Sequence, residues 1–287
     1  MNTQLNFIYS FMKTFKLFFV AIAFLAPVAL SAQTVKERDW HWTDLKNGIE
    51  TGYLQDTLWG QPRYIAVVKY DPRIYGTFLL DSEKENAKPT NILAAQVGAR
   101  GAVNGSYFNV RQRTPVTFFS INGTVYGETS PDEEFRSNGL LIIKDKKGHK
   151  VSIQEYDAKQ KDKLAARNYG VLASGPILLK NGARCTGEDK GGFATGLHNR
   201  TVIGKDPEGK IWMMVVDGRY AGICYGMSIS MLTTLCQELG LVDALNLDGG
   251  GSSQIWTSVQ GTLNHPSDNG VFDREGGRRV PNIVYFK

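Results

Sequence analysis

Cysteine is scarce in this chain, with three residues among 287, at positions 185, 224 and 236. Their wide spacing excludes a thiol-built zinc site. An odd number in an exported chain leaves at least one thiol free or paired between molecules. Charge of one sign is lacking too. Lys and Arg total 33 against 28 Asp and Glu, a formal net charge of +5. With no Lys/Arg block and no RNA-binding motif, no nucleic-acid partner is expected. After Leu30 no apolar run is long enough for a membrane helix, so the mature chain has no integral membrane segment to expect. Repeats, low-complexity linkers and a Gly-x-Ser-x-Gly nucleophile elbow are missing as well. Ser174, in Ala-Ser-Gly-Pro, lacks that elbow's strand-to-helix setting.

What is present begins with the N-terminus. Lys13 and Lys16 precede an apolar run, Leu17 to Leu30, broken by Pro27 and followed by Ser31 and Ala32. This is the order of a secretory signal peptide, and the run is too short to span a bilayer. Residues 1–32 are therefore read as a removed leader, whose core also fits a start at Met12. Residues 33–287 are read as one domain, with its core at about 60–287, in the periplasm or outside the cell. No cysteine near the cleavage point offers a lipid anchor.

Periodicity then predicts strands at 63–70, 76–80 and 102–108, and a hairpin over 116–128 around Asn122-Gly123, the pair favoured in type I′ turns. A second hairpin joins 140–144 to 150–156, and a third joins 200–204 to 210–216. Strands are also predicted at 169–174, 177–180, 244–248, 254–258 and 280–286. Helices are predicted at 90–97, with Thr90 as its cap, and at 159–166, and a stronger one is capped by Ser228 and stopped by Gly240. Many hairpin-joined strands with few helices read as α+β, a single domain with a mixed, largely antiparallel sheet.

The most informative segment is Asn246-Leu247-Asp248-Gly249-Gly250-Gly251-Ser252-Ser253. A strand ends on a carboxylate, then gives three glycines and two hydroxyls. Glycines let a ligand approach main-chain amides. Here they run into another predicted strand, which excludes the Rossmann and P-loop geometries, where glycines open a helix. Four more polar clusters stand out: His198-Asn199-Arg200, Asp217-Gly218-Arg219, His265 to Asp268, and Arg278-Arg279. Arginine's planar fork suits phosphate, so the candidate ligand is an anion.

Asn104-Gly105-Ser106-Tyr107-Phe108, Ser174-Gly175-Pro176, His198-Asn199-Arg200-Thr201, Val215-Val216-Asp217-Gly218-Arg219, the 226–239 helix and the glycine run occur here in one order. Together they resemble the phosphodiester glycosidases, over about residues 60–287. Two motifs depart from the family pattern, Asn-Gly-Ser-Tyr-Phe for Asn-Gly-Gly-Phe-Phe and His-Asn-Arg for His-Pro-Arg. The resemblance implies hydrolysis of a sugar-1-phosphodiester at the sugar side, releasing free sugar and a phosphate monoester. The partner implied is a phosphodiester-linked glycan; no cofactor or metal is expected. Glycoside hydrolysis generally uses two carboxylates, and Asp217 and Asp248, both at strand ends beside glycines, are the expected pair. Arg200, Arg219 and the amides of Gly249, Gly250 and Gly251 are expected to hold phosphate, with Ser252 and Ser253 as hydroxyl donors. Asn104, His198, Asp268 and Arg279 are expected to contact sugar or phosphate.

Two other readings stand beside this one. An exported glycan-binding protein would use Trp59, Trp212 and Trp256 as sugar platforms. A metal-dependent phosphodiesterase would gather Asp217, Asp248 and Asp268 around a divalent cation.

Overall fold

In the computed structural model, which describes residues 33–185 and 191–287, strands dominate and every described pairing is antiparallel. The expected leader, residues 1–32, lies outside the described residues. The largest sheet has eight strands. In spatial order they are β1 (His41–Asp44), β2 (Ile49–Leu58), β3 (Gln61–Tyr70), β16 (Ile211–Val216), β15 (Arg200–Lys205), β17 (Asp243–Asn246), β13 (Ile177–Lys180) and β14 (Ala183–Arg184). A second sheet orders β11 (Val151–Glu155), β10 (Gly139–Ile143), β12 (Gly170–Ser174), β8 (Phe119–Ile121) and β9 (Thr124–Gly127). A third orders β19 (Gly261–Thr262), β18 (Ile255–Thr257), β5 (Gly101–Asn104), β20 (Asn282–Phe286) and β4 (Thr77–Asp81). A short ribbon pairs β6 (Phe108–Asn109) with β7 (Thr114–Pro115).

The central strands are apolar without a break because both of their faces are covered. On β16, Met213 and Val215 join the core shared with Leu141, Leu172, Val103 and Val284 of the other two sheets. Trp212, Met214 and Val216 point the other way, against helix α4 (Ile229–Glu238). That helix follows its periodicity. Ile229, Leu232, Leu235 and Cys236 are buried, and the Ser228 hydroxyl accepts from the Met231 N–H at 3.2 Å. Gly240, at φ +83°, ends it. Helices α1 (Thr90–Gln96) and α2 (Lys161–Arg167) lie where predicted, and α3 (Gly192–Thr195) is a single turn. The architecture is α+β, as the hairpin count implied.

Three details differ from expectation. Strands β1 and β2 were not signalled, because β2 buries Thr51 and Gly52 where an apolar residue would mark a strand. The glycine run does not pass directly into β18. Gly250–Ser252 first make one 3-10 turn, which swings Asp248 clear of the sheet. Helix α1 starts at Thr90 itself, with Pro89 in the capping position.

The first and second sheets meet at Gly139. A side chain there would put its Cβ 2.5 Å from Leu245 Cδ1 and 2.6 Å from Ile177 Cγ1. Leu245→Ala is expected to destabilise by about 3 kcal/mol, and Gly139→Ala by about 1–3 kcal/mol through overpacking. Urea denaturation of the double variant should show a cost well below the sum. Strict additivity would mean that the two sheets do not press on each other at this point.

Candidate active site

Asp248 stands just beyond β17 because its backbone is held from both sides. Its N–H donates to the Gly105 carbonyl at 3.1 Å, and its carbonyl accepts from Asn104 Nδ2 at 2.7 Å. Leu247 N–H donates to the Thr201 carbonyl at 2.8 Å, and Gly250 N–H to the Asn199 carbonyl at 2.9 Å. The fully buried Asn104 completes this seam. Its Oδ1 accepts from Thr201 Oγ1 at 2.8 Å and from the Gln254 N–H at 3.2 Å.

The result is a cleft of about 230 Å³ lined by Asp248, Gly249, Gly250, Asn246, Tyr107, Phe193, His198, Asn199 and four arginines, Arg136, Arg200, Arg219 and Arg278. Asn246 Nδ2 donates to the Tyr107 hydroxyl at 2.9 Å and to the Gly175 carbonyl at 2.8 Å. The Tyr107 hydroxyl donates to the same carbonyl at 2.5 Å, so one wall is a closed polar network. Both polar atoms of the Asn199 side chain, and Asn246 Oδ1, are buried without a hydrogen-bond partner. Buried polar groups are ordinarily paired, and unpaired ones facing a cleft suit a polar ligand.

Each arginine is placed differently. Arg136 is gripped in two bonds by Glu133, at 2.6 and 2.7 Å, and lies 4.2 Å above the Tyr107 ring. Arg278 is tied to Asp268 Oδ1, at 2.6 and 3.0 Å. Among the described residues Arg219, which is exposed, has no hydrogen-bond or ion-pair partner; its backbone sits at φ +69°. Such a conformation is unusual for a non-glycine residue and points to a site under constraint. It turns the guanidinium over Gly250, where an added Cβ would lie 2.6 Å from Nη2. Gly250 itself is at φ +61°. Any larger residue at this position would strain the backbone and strike Arg219.

Asp248 is the carboxylate on the floor. Burial pushes its carboxyl up to about 6, while the Ser252 hydroxyl, the Gly249 N–H at 2.9 Å and the charges of Arg136 and Arg278 pull it down. His198 is held below its usual range, first by burial and then by Arg200 and Arg219. It therefore serves the cleft as a neutral ring. Three positive arginines around one reluctant carboxylate make a strongly anion-attracting pocket.

Several expected contacts go elsewhere. Asp217 does not line the cleft. It is fully buried, and it accepts from Asn264 Nδ2 at 2.9 Å, the His265 N–H at 2.7 Å and His265 Nδ1 at 3.0 Å. Burial raises its carboxyl against those hydrogen bonds. Its geometry is that of an anchor for the 264–268 loop. Arg200 has its guanidinium committed to the carbonyls of Met227, Phe193 and Gly196. The Gly249 and Gly250 amides are spent on Asp248 Oδ1 and Asn199, so they are not free for phosphate. Gly251 instead leaves room for Asp268 and Arg278. Ser253 Oγ is paired with Thr201 Oγ1 at 3.1 Å, below the cleft. Asn104 is scaffold, and Arg279 donates to the Ala87 carbonyl at 2.8 Å, outside the cleft. Its neighbour Arg278 takes the place expected of it.

Tyr107, Arg136, Phe193, Asn199, Asn246 and Arg278 were not singled out as site residues. Tyr107, Asn199 and Asn246 lay inside the quoted motifs, which was a usable signal. Arg136 ends the 3-10 segment Pro131–Arg136 and Phe193 sits in the single turn α3, and neither belongs to a motif or a periodic run. Trp59, Trp212 and Trp256 do not line the cleft. Among the described residues no three His, Cys, Asp or Glu side chains group closely enough to hold a metal ion, and Asp217, Asp248 and Asp268 do not converge.

The cleft thus brings one carboxylate and several arginines together at the end of the largest sheet. The sequence pattern described as phosphodiester glycosidase matches residues 97–287, and the chain belongs to that family. No curated protein sequence matches it. Among solved structures, it resembles the zebrafish N-acetylglucosamine-1-phosphodiester α-N-acetylglucosaminidase catalytic domain, auto-inhibited by pro-peptide. That pair has a TM-score of 0.66 and 17% identity over 87% of this chain and 88% of the other. A hypothetical protein from Synechocystis matches at TM-score 0.61 and 16% identity, over 87% of this chain and 64% of the other. A putative exported protein from Burkholderia pseudomallei K96243 matches at 0.60 and 16%, over 79% and 74%. At such identities the likeness shows the fold.

The two aspartates should respond oppositely to replacement. The Asp248 carboxyl is raised in the fold to about 6 from 3.8, so the folded state holds its proton more tightly than the unfolded chain does. The associated stability is fully present below about pH 4 and is lost as pH rises through about 6. Asp248→Asn should remove this slope and, at pH 7, be the more stable protein by up to about 3 kcal/mol. Asp217→Ala strands the Asn264 and His265 donors and should cost about 2–4 kcal/mol. Denaturation curves between pH 4 and 7 measure both. Equal losses for the two variants would show that Asp217 and Asp248 share one role.

Proposed function

We propose that this protein is an exported glycosidase that hydrolyses a sugar-1-phosphodiester at the sugar C1–O bond, releasing free sugar and a phosphate monoester. The observation that carries the reading is the placement of the ionisable Asp248 carboxylate in one cleft with Arg136, Arg278 and Arg219, the last without an ion-pair partner among the described residues. Family membership supports phosphodiester chemistry. Export is inferred from the leader-like order of residues 1–32 and the proposed removal of that segment. Among the described residues no helix is long and apolar enough to cross a membrane.

Arg219, Arg136 and Arg278 hold the phosphate and take up the charge that develops on its oxygen as C1–O breaks. The electron pair of that bond leaves with the phosphate, which needs no proton from the protein. Asp248, ionised, works on the anomeric carbon. Neutral His198 and the unpaired amide of Asn199 supply hydrogen bonds to sugar hydroxyls. Asp217 acts at a distance, by keeping the loop that carries Asp268, and through it Arg278, in place.

The test is product analysis by NMR with an N-acetylglucosamine-1-phosphodiester of methanol. Free sugar with methyl phosphate is expected, with kcat/KM rising with pH through about 6 as Asp248 ionises. Asp248→Asn should lower kcat about a thousandfold. Sugar-1-phosphate as the product would show that the phosphorus–oxygen bond breaks and would overturn the reading. The first-formed anomer assigns the carboxylate: retention makes Asp248 a nucleophile, and inversion makes it the base for water.

A further inference from the structure

At the far end of the β15–β16 hairpin from the cleft lies another cavity, of about 450 Å³, whose walls include Lys36, Trp40, Trp42, Lys69, Glu208 and Trp212. Arg200, at the cleft, opens β15 opposite Val216, and Lys205 closes it opposite Ile211, beside this cavity. Five residue steps, about 17 Å of strand, separate the two places. None of the cavity's residues lines the cleft.

Three of the chain's five tryptophans meet here. The Trp40 and Trp42 rings stack with centroids 5.3 Å apart, and Trp212 stands edge-on to Trp42 at 83°. Lys69 Nζ sits in the corner, 4.4 Å from the centroid of the Trp42 ring and 5.2 Å from that of Trp212. The corner is held from behind. Trp40 Nε1 donates to the Val35 carbonyl at 2.9 Å, and Trp212 Nε1 to the buried Asp206 carboxylate at 2.9 Å. Glu50 grips both Lys69 and Lys210, at 2.8 and 3.3 Å. Trp42 differs from its neighbours. It is 41% exposed, and its indole N–H has no hydrogen-bond partner among the described residues. A tryptophan that served packing alone would be covered and paired. This one is presented to solvent within a concave surface fixed in advance.

We propose that this cavity is a second binding site, which attaches the protein to a neutral polysaccharide by taking one or two of its sugar units. The inference does not rest on the glycosidase reading, since the bound polymer is held and not hydrolysed. The volume lies within the range of about 300–1,000 Å³ that encloses a small ligand. Indole surface suits the C–H faces of sugar rings. Lys36 and Glu208, both exposed and without ion-pair partners among the described residues, offer a donor and an acceptor to hydroxyls. Charge sets the choice of polymer. The lysines at positions 36, 69 and 210 are matched by Asp206, Glu208 and Glu50, so nothing here favours an acidic chain over a neutral one.

Affinity electrophoresis of the mature protein measures attachment, in gels containing dextran, galactomannan or xyloglucan, with polygalacturonate as the acidic control. Retardation is expected in at least one neutral gel and not in the acidic one. Trp42→Ala should weaken it about tenfold and Lys36→Ala about threefold, while Asp248→Asn leaves it unchanged. Lys36 is exposed, so its variant decides the matter if Trp42→Ala does not fold. Fluorescence gives a reading that the cleft cannot supply, because no tryptophan lines the cleft. Oligosaccharides cut from the retarding polymer should shift tryptophan emission in the wild-type protein and in Asp248→Asn, with a shift about tenfold less sensitive to concentration in Trp42→Ala. Unretarded passage through all three neutral gels would overturn the proposal, and so would retardation by the acidic polymer alone. Retardation lost in Asp248→Asn but kept in Lys36→Ala would place the binding in the cleft and overturn it as well.

Discussion

Asn104 is the residue on which the site's geometry depends. It ends β5 of the third sheet, yet its side chain bonds across to Thr201 of the first sheet, to the Asp248 carbonyl and to the Gln254 N–H. One buried amide therefore sets the distance between two sheets and fixes the start of the glycine run. A carboxamide meets this demand well, because it offers donors and an acceptor on one rigid plane. An aspartate could not donate to the Asp248 carbonyl, and an apolar residue would take away the side-chain partners of the Asp248 carbonyl and the Gln254 N–H. Once Asn104 is placed, Asp248 has little freedom. The single turn at Gly250–Ser252 then follows from the need to pass beneath Arg219 and Arg278.

The arginines around the cleft show how cations are kept in a confined space. Arg136 and Arg278 each have a carboxylate at their back, Glu133 and Asp268. Those partners hold the guanidinium in position and offset part of the repulsion between neighbours. Arg219 is positioned by its own backbone instead, at a φ that side chains seldom adopt. It is the cation left for a ligand to neutralise. The buried amide of Asn199, unpaired on both of its polar atoms, tells the same story in uncharged form.

Much of this was legible in the sequence, for identifiable reasons. Hairpins were marked by short turn signals, and Asn122 and Gly123 do take positive φ values, +50° and +82°. Helix α4 carried both its cap and its stop. The glycine run announced a site because three glycines have no packing value of their own. What escaped was information that local pattern does not hold. Asp217 and Asp248 look alike on paper, since each ends a strand before glycine. Only the fold shows that one faces the cleft while the other faces His265 and Asn264. Arg278 and Arg279 differ by one position in a loop without periodicity, so nothing local says which one turns inward. Arg136 and Phe193 reach the cleft through long-range packing alone. β2 was hidden because its place in the sheet is filled by Thr51 and Gly52, and Gly52 is bare so that the Trp42 ring can lie across it.

The displacement of Asp217 from the cleft bears on the chemistry itself. Two carboxylates are the usual requirement for breaking a glycosidic bond because an alcohol leaves poorly unless it is protonated. A phosphate monoester leaves as an anion without that help, so in the proposed reaction the acid is dispensable provided the departing charge is met by cations. A second carboxylate near the phosphate would oppose those cations. Glu133 and Asp268 are instead turned onto Arg136 and Arg278, which they hold in place. Asp217 is then better used as a buried anchor than as a proton donor. The loop it holds carries Asp268, and the placement of Arg278 depends on that residue. On the proposed reaction, one carboxylate beside three guanidinium groups is matched to a leaving group that is already an anion, and poorly matched to an ordinary glycoside.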